Sequence, residues 1–295
     1  MRRDSEPATA IFTGAAGNRM VADVFGERGP AVLLLHGGGQ TRHSWRQTAQ
    51  RLVKAGSTAY ALDQRGHGDS DWIPDGSYAF GDFAADAAAV ADALAARAGR
   101  APVVVGASLG GIAALLAEGA AHRAGRRPVF SALVLVDITP RVDGDGVAKI
   151  QGFMRAHAQA GFGSITEAAD AVAAYLPHRP RPRSHEGLRK NLRLDPDGRW
   201  RWHWDPRFLD GPRPVGTGRD ETDAALVDAA RRIQVPAMLV RGTSSELVTE
   251  DHVREFLELV PHAEYMDVAG ARHMVAGDRN DHFSAAILGF LGKLP

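Results

Sequence analysis

The sequence contains no cysteine among its 295 residues, so disulfide bonds and thiolate catalysis are both excluded. It also lacks an excess of charge, since 35 basic residues balance 35 acidic residues. We expect no nucleic-acid partner, because no broad positive field would attract a phosphate backbone. No stretch approaches the ~20 apolar residues of a membrane span, and residues 1–7 lack the apolar core of a signal peptide. We therefore expect a cytoplasmic protein without a membrane partner.

Short apolar runs alternate with helical patterns along most of the chain, which is 44% hydrophobic and of ordinary globular composition. Such alternation predicts a parallel sheet with helices packed on both of its faces. Strands are predicted at residues 9–14, 19–25, 31–35, 58–62, 102–105, 132–136, 236–240 and 263–268. The sequence thus predicts an α/β protein whose mostly parallel, doubly wound sheet has about eight strands.

The alternation is interrupted between residues 140 and 232, where helical patterns occur without a clear buried strand. We interpret this segment as an insertion into a single domain, because the strand pattern resumes after it. Residues 1–139 and 233–295 are therefore predicted to form the core domain. Residues 140–232 are predicted to form a helical lid that stands over the ends of the strands.

Residues 106–111 read Gly-Ala-Ser-Leu-Gly-Gly and lie between a β-branched run and an Ala- and Leu-rich helical pattern. A strand, a sharp turn and a helix in this order hold a serine on a strained turn with its hydroxyl exposed. Gly106 and Gly110 lack Cβ atoms, which lets the strand and the helix approach each other closely. Ser108 is therefore a candidate nucleophile, which needs a base, an acid and an anion-binding site.

Polar or glycine-rich residues also follow four other predicted strands. They are the segments 36–39 and 241–246, together with Asp63 and Asp137. The carboxyl ends of the strands in a parallel sheet meet at one edge, and ligands bind beyond that edge. The sequence therefore predicts that these residues meet Ser108 at a common site.

Four motifs together carry a resemblance to a known family. They read His36-Gly-Gly-Gly39, Asp63-Gln-Arg-Gly-His-Gly-Asp-Ser70, Gly106-Ala-Ser-Leu-Gly110 and Gly270-Ala-Arg-His273. In these motifs and their order the chain resembles an α/β-hydrolase of the serine type over nearly its whole length. The resemblance implies that Ser108 is the nucleophile and that His273, after the last strand, is the base. It also implies an oxyanion hole made by the backbone N–H groups of Gly38 and Leu109.

The acid of the implied catalytic triad has two candidates. In most members of the family it stands three residues after the glycine that ends the next-to-last strand, and Ser245 occupies that position here. Glu246 follows directly and has a side chain long enough to serve. Asp137, at the end of the strand after the nucleophile helix, matches a subset of the family. Both candidates preserve the chain order serine, acid, histidine, and we favour Asp137.

The predicted lid contains the stretch Trp200-Arg-Trp-His-Trp204, whose three indoles share one face if the chain is extended. Trp202 and Trp204, like Phe153, are candidates for the walls of an apolar substrate pocket. The alternative is that these aromatic residues form a small core within the lid. Gly39 and Met274, which adjoin the motifs described above, complete the predicted substrate pocket.

No cofactor and no metal ion are expected. The glycine-rich segments match neither a phosphate-binding loop nor a dinucleotide fingerprint. The stretch Asp143-Gly-Asp-Gly146 lacks the glutamate of a calcium loop, since Met154 stands at the twelfth position. We interpret His36 and His67, which lie in glycine-rich segments, as hydrogen-bonded structural histidines.

These observations predict a cofactor-independent serine hydrolase that acts on a small-molecule substrate. The substrate class that we favour is a small or medium apolar carboxylic ester or lactone. The same triad would serve a hydrolase of carbon–carbon bonds, or a cofactor-free haloperoxidase that forms peracids. An alternative from another class is a receptor that binds a small ligand and leaves its triad nearly idle.

Overall fold

A computed structural model describes residues 6–179, 184–275 and 280–294 of the chain. Its strands are β1 (Ala8–Thr13), β2 (Arg19–Phe25), β3 (Ala31–Leu35), β4 (Thr58–Leu62), β5 (Val103–Ala107), β6 (Ala132–Val136), β7 (Leu192–Leu194), β8 (Trp200–Trp202), β9 (Ala237–Gly242) and β10 (Glu264–Val268). Eight of them form one sheet in the order β1-β2-β4-β3-β5-β6-β9-β10. The pairs from β4 to β10 are parallel, whereas β1 and β2 are antiparallel additions at one edge. The predicted fold class is confirmed.

The helices are α1 (Arg46–Lys54), α2 (Phe80–Ala98), α3 (Leu109–Arg123), α4 (Gly144–Ala156), α5 (Ile165–Tyr175), α6 (Glu186–Arg189), α7 (Arg207–Asp210), α8 (Arg219–Arg231), α9 (Glu250–Leu259) and α10 (Asn280–Leu291). Six of them cover the two faces of the sheet. Buried side chains of α2, α3, α8 and α9 build the core on one face, and those of α1 and α10 build the core on the other. The sheet is therefore doubly wound. Among the described helices, none is long and apolar enough to cross a membrane.

The central strands bring the predicted motifs to one edge of the sheet. Every residue of β3 and β6 is buried, because helices cover both faces and leave no solvent-facing side. The parallel register pairs Leu35 with Gly106 and Ala107 with Val136, so these strands end side by side. The residues that follow them, Gly37 after β3, Ser108 after β5 and Asp137 after β6, therefore lie at neighbouring positions.

The segment between β6 and β9 holds α4 to α8 and a two-stranded hairpin. The sequence shows no clear buried strand in this segment, and the two strands found there, β7 and β8, are only partly buried and pair with each other in antiparallel register. Each of these strands has three residues, which is too short for an alternating pattern to stand out in a sequence. The Trp200–Trp202 stretch is extended, which is the condition under which the sequence places its indoles on one face.

Candidate active site

Ser108 stands on the sharp turn between β5 and α3. Its φ of 47° and ψ of −114° lie in a sparsely populated region that costs on the order of 1–3 kcal/mol and persists only where the surroundings enforce it. A Cβ on Gly110 would lie 2.4 Å from the carbonyl oxygen of Leu35, and one on Gly106 would lie 2.5 Å from that of Gly110. The two glycines thus allow the close packing that holds Ser108 in this conformation.

His273 follows β10, and its Nδ1 lies 2.8 Å from Oδ2 of Asp137. Asp137 is completely buried directly after β6. Because a carboxylate oxygen only accepts hydrogen bonds, Nδ1 carries the hydrogen and Nε2 is left as the basic nitrogen. His273 and Ser108 line the same cavity. Asp137 (φ 51°) and Ser108 are the two non-glycine residues with positive φ in the described part of the chain, so backbone strain is concentrated at this site.

Four further donors hold the carboxylate of Asp137 or the hydroxyl of Ser245 that is bonded to it. The amide of Gly242 donates to Oδ1 at 3.0 Å, and the hydroxyl of Ser245 donates to Oδ2 at 2.6 Å. The Ser245 oxygen in turn accepts the amides of Leu247 and Val248, each at 3.1 Å. The residue at the usual acid position of the family therefore orients Asp137. The sequence analysis considered Ser245 only as an acid, which a serine cannot be. Its hydroxyl at this position was the feature that could have indicated a hydrogen bond to Asp137.

Glu246, the other candidate acid, has different partners. One carboxylate oxygen lies 3.0 Å from Nη1 of Arg272, and the other accepts the backbone amide of His273 at 3.4 Å. Partial burial raises the pKa of Glu246, but hydrogen bonds from backbone amides and Arg272 outweigh it, so the pKa lies below its ordinary value. Glu246 thus contacts the main chain of His273, whereas Asp137 contacts its imidazole.

The loop after β3 leaves one amide available for an oxyanion. The amide of Gly37 donates to Oε1 of Gln40 at 3.2 Å, and that of Gly39 donates to Nε2 of His67 at 3.1 Å. Within the described residues, the amides of Gly38 and Leu109 have no acceptor. Gly38 and Leu109 both line the cavity beside Ser108. Two free N–H groups near a nucleophile are the arrangement that a tetrahedral oxyanion requires.

A cavity of about 520 Å³ opens beside Ser108 and His273. All five residues of the predicted substrate pocket line it: Gly39, Phe153, Trp202, Trp204 and Met274. Phe153 stacks on Tyr175 with ring centroids 4.1 Å apart, and Phe208, which sequence reasoning missed, also lines the cavity. The volume is in the range of pockets that enclose small organic ligands.

Trp202 and Trp204 both line the cavity and pack against other aromatic residues, so they combine the two alternatives that the sequence left open. Trp202 packs against Phe162 at a centroid distance of 5.2 Å, and Trp204 packs against Phe208 at 6.2 Å. Both indoles belong to the buried core and both line the cavity. Trp202 and Trp204 therefore pack within the segment between β6 and β9 and also form part of the cavity wall.

Two histidines lie fully buried next to residues 37–40, the loop after β3 that we call the oxyanion loop. Nδ1 of His36 donates to the carbonyl of Gly37 at 2.8 Å, and its Nε2 accepts the amide of Gln64 at 3.1 Å. Nδ1 of His67 donates to the carbonyl of Arg65 at 2.9 Å, and its Nε2 accepts the amide of Gly39. Each ring uses one nitrogen as donor and the other as acceptor, so both imidazoles are neutral.

These histidines should make folding stability pH-dependent. Burial lowers the pKa of His36 from 6.5 to about 4, and burial with the proximity of His36 lowers that of His67 to about 3. Below pH 6.5 the unfolded chain therefore binds protons that the folded protein excludes. The free energy of unfolding is therefore expected to decrease as the pH is lowered below 6.5. Its limiting slope is about 1.4 kcal/mol per pH unit for each histidine. Urea unfolding at a series of pH values measures this slope.

A matched variant isolates the contribution of one imidazole. His36→Gln removes one titrating group. Below about pH 6.5, its free energy of unfolding should therefore depend less steeply on pH than that of the wild type, by up to about 1.4 kcal/mol per pH unit. A wild-type free energy of unfolding that stays constant between about pH 6.5 and pH 5 would contradict the burial of two neutral imidazoles.

Comparison with known sequences extends these observations. A profile of the alpha/beta hydrolase family matches residues 32–286. Esterase Rv0045c of Mycobacterium tuberculosis is 33% identical over 242 residues, which cover 81% of this chain and 74% of that protein. The 2-(acetamidomethylene)succinate hydrolase of Mesorhizobium japonicum is 30% identical over 256 residues, which cover 84% and 82% of the two chains.

Solved structures give the same result for the fold. The crystal structure of E-2-(acetamidomethylene)succinate hydrolase superposes with a TM-score of 0.80 at 24% identity, covering 97% of this chain and 99% of that one. The structure of the M. tuberculosis esterase Rv0045c superposes with a TM-score of 0.74 at 28% identity, covering 99% and 94%. The likeness therefore extends over the whole architecture.

Proposed function

This chain belongs to the alpha/beta hydrolase family and is a hydrolase, and from that premise we propose that it cleaves small to medium apolar carboxylic esters or lactones. The observation that carries the proposal is the 2.8 Å contact between His273 Nδ1 and Asp137 Oδ2 at a cavity that Ser108 also lines. Similarity to a curated esterase over 81% of the chain supports the ester as substrate class.

The proposed reaction proceeds through an acyl-enzyme. Ser108 Oγ attacks the ester carbonyl carbon while Nε2 of His273 takes the hydroxyl proton. Asp137 fixes the tautomer of His273 and stabilises the imidazolium, and the amides of Gly38 and Leu109 stabilise the oxyanion. The tetrahedral intermediate collapses, and His273 gives the proton to the leaving alkoxide. Water then repeats the sequence, which releases the carboxylic acid and restores the serine.

The aromatic walls of the cavity favour a substrate with an apolar acyl or aryl group. Its walls include Phe153, Trp202, Trp204 and Phe208, and aromatic rings bury much apolar area of a ligand that packs against them. Hydrolysis of a carbon–carbon bond and formation of a peracid use the same groups. A receptor function requires that this machinery be nearly idle. Ester turnover that depends on acyl size therefore distinguishes our proposal from the receptor alternative.

A series of p-nitrophenyl esters from acetate to dodecanoate tests the proposal. We expect kcat/KM to rise with acyl length at first, because each buried methylene contributes about 0.8 kcal/mol, or roughly a fourfold gain. It should fall once the acyl chain exceeds the cavity. Phe153→Ala, which shortens one wall, should move the maximum toward longer acyl groups.

Three additional measurements complete this test. A γ-lactone series, followed by acid release, compares the two ester types, and 2-(acetamidomethylene)succinate tests the substrate named for one relative. Ser108→Ala supplies the background rate. Absence of turnover with every ester and lactone, together with a small ligand retained through purification, would contradict the proposal and favour the receptor.

A further inference from the structure

The oxyanion loop is held by a histidine that belongs neither to the triad nor to the lining of the cavity. The ring of His67 is completely buried, and its Nε2 accepts the amide of Gly39 at 3.1 Å. Gly39 has a φ of 77°, a conformation that glycine adopts without steric cost, so its hydrogen bond to His67 selects one orientation of the peptide among those open to the residue. With the Gly37 amide bonded to Gln40 and the Gly39 amide bonded to His67, the intervening Gly38 amide is the donor of the loop that has no acceptor among the described residues.

The environment of His67 fixes the ring and its tautomer. Its Nδ1 lies 2.9 Å from the carbonyl oxygen of Arg65, which requires a hydrogen on Nδ1 and a lone pair on Nε2. The ring lies against His36 and Phe208, with centroid distances of 5.2 Å and 5.0 Å. A buried ring with neighbours on its faces and both nitrogens bonded has a single orientation. The acceptor presented to Gly39 is therefore rigid.

Residues 64–69, the loop that carries His67, are bonded to the segment between β6 and β9. The amide of Gly68 donates to the carbonyl of His203 at 2.7 Å, and the amide of Asp205 donates to that of Gly66 at 2.8 Å. His67 lies between these two bonds. From that segment Phe208 reaches the oxyanion loop directly, since its ring would lie 3.3 Å from a Cβ on Gly38. Residues 64–69 are thus packed between the oxyanion loop and residues 203–208.

We propose that His67 is a positioning residue that sets the orientation of the Gly38–Gly39 peptides and so directs the Gly38 amide at the oxyanion. The inference rests on the proposed esterase function, because it concerns the transition state of that reaction. A donor aimed at developing charge acts on the transition state and contributes little to binding of the ester. Loss of the His67 acceptor therefore lowers kcat and leaves KM nearly unchanged.

Two substitutions of His67 separate this role from packing. His67→Leu removes the acceptor, whereas His67→Gln keeps a carbonyl oxygen that can accept the Gly39 amide. We expect kcat for p-nitrophenyl butyrate to fall roughly 100-fold in His67→Leu and less than about tenfold in His67→Gln. KM should stay within about threefold of the wild type in both variants.

Butylboronic acid gives a second readout that a merely structural role would not move. Its boron bonds to a serine oxygen, and the tetrahedral adduct presents an oxygen to the oxyanion hole as the transition state does. Its inhibition constant should rise in His67→Leu by about the factor by which kcat falls. Glu118→Leu is the matched control: it removes a buried acceptor of the Val129 and Phe130 amides, far along α3, and should lower Tm without changing either quantity.

The outcomes are distinct. A folded His67→Leu enzyme with the kcat and the boronate inhibition constant of the wild type would overturn the inference while the esterase function stands. The same holds if these two quantities change no more in His67→Leu than in Glu118→Leu. Lack of ester turnover by the wild type would instead overturn the proposed function and this inference with it. If His67→Leu does not fold, His67→Asn replaces it, since its shorter amide does not reach Gly39; activity equal to that of His67→Gln would overturn the inference.

Discussion

Replacing Ser108 by alanine is expected to lower kcat for ester hydrolysis by roughly 10⁴- to 10⁶-fold, because alanine has no oxygen with which to form an acyl-enzyme. The residual rate would come from the oxyanion hole and from substrate binding, which the substitution leaves in place. KM for a p-nitrophenyl ester should change little. Initial rates of p-nitrophenolate release, corrected for the uncatalysed reaction, measure the loss.

Ser131→Ala is the control for this substitution. Ser131 is exposed before β6 and far from the cavity, so its replacement should leave kcat unchanged. The Ser108 variant must also retain the wild-type Tm, since removal of a hydroxyl leaves the strained turn in place. A folded Ser108→Ala protein with more than about a tenth of the wild-type kcat would refute the nucleophilic role.

Asp137→Asn is expected to lower kcat by about 10⁴-fold, whereas Glu246→Gln should change it by less than about threefold. Asparagine keeps the shape of the side chain, but the Gly242 amide holds its oxygen at the Oδ1 position. The group that faces Nδ1 is then an amide nitrogen, which cannot accept the Nδ1 hydrogen. The imidazole would then hold its proton on the wrong nitrogen, and Nε2 would no longer be a base. The contacts of Glu246 with Arg272 and with the main chain of His273 leave the tautomer unaffected.

The pair of variants decides between the two acids. Steady-state rates with one ester, measured for both proteins after their Tm values are compared, give the ratio directly. A large loss in Glu246→Gln with a small loss in Asp137→Asn would assign the acid to Glu246. Equal and mild losses in both would contradict the account of His273 as a base oriented by a carboxylate.

The architecture was readable from the sequence because its central strands are buried on both faces. Runs such as Ala31–Leu35 and Ala132–Val136 are continuously apolar, and helical patterns between them leave a doubly wound sheet as the compact arrangement. The hairpin of β7 and β8 was missed. Its strands are short, and their pairing depends on contacts such as that of Phe162 with Trp200, which join residues distant in the sequence.

The site was less readable than the fold, because its decisive contacts cross between strands. The sequence places Asp137 and Glu246 at strand ends but does not show which carboxylate points at the His273 ring. That depends on the pairing of β6 with β9, through which the Asp137 amide bonds to the Val240 carbonyl and the Gly242 amide bonds to the Asp137 carboxylate. The roles of Ser108, His273 and Asp137 in catalysis stay predictions that the geometry supports.

Structural histidines illustrate the same limit. The sequence indicates that His36 and His67 are hydrogen-bonded within glycine-rich segments, but it cannot show which amides they accept. The contact of His67 with Gly39 joins two loops 28 residues apart. It connects a residue interpreted as structural with the proposed oxyanion hole, and this connection is visible only in three dimensions.

The identity of the nucleophilic residue tests the central claim most directly. Diethyl p-nitrophenyl phosphate transfers its phosphoryl group to an activated serine oxygen and releases p-nitrophenolate. Trypsin should then cut the labelled protein after Arg100 and Arg123, giving a peptide whose only hydroxyl-bearing residue is Ser108. We predict one diethylphosphoryl group per chain on this peptide, complete loss of ester hydrolysis and no label in Ser108→Ala. A label on another peptide, or ester hydrolysis that persists after stoichiometric labelling, would contradict the account.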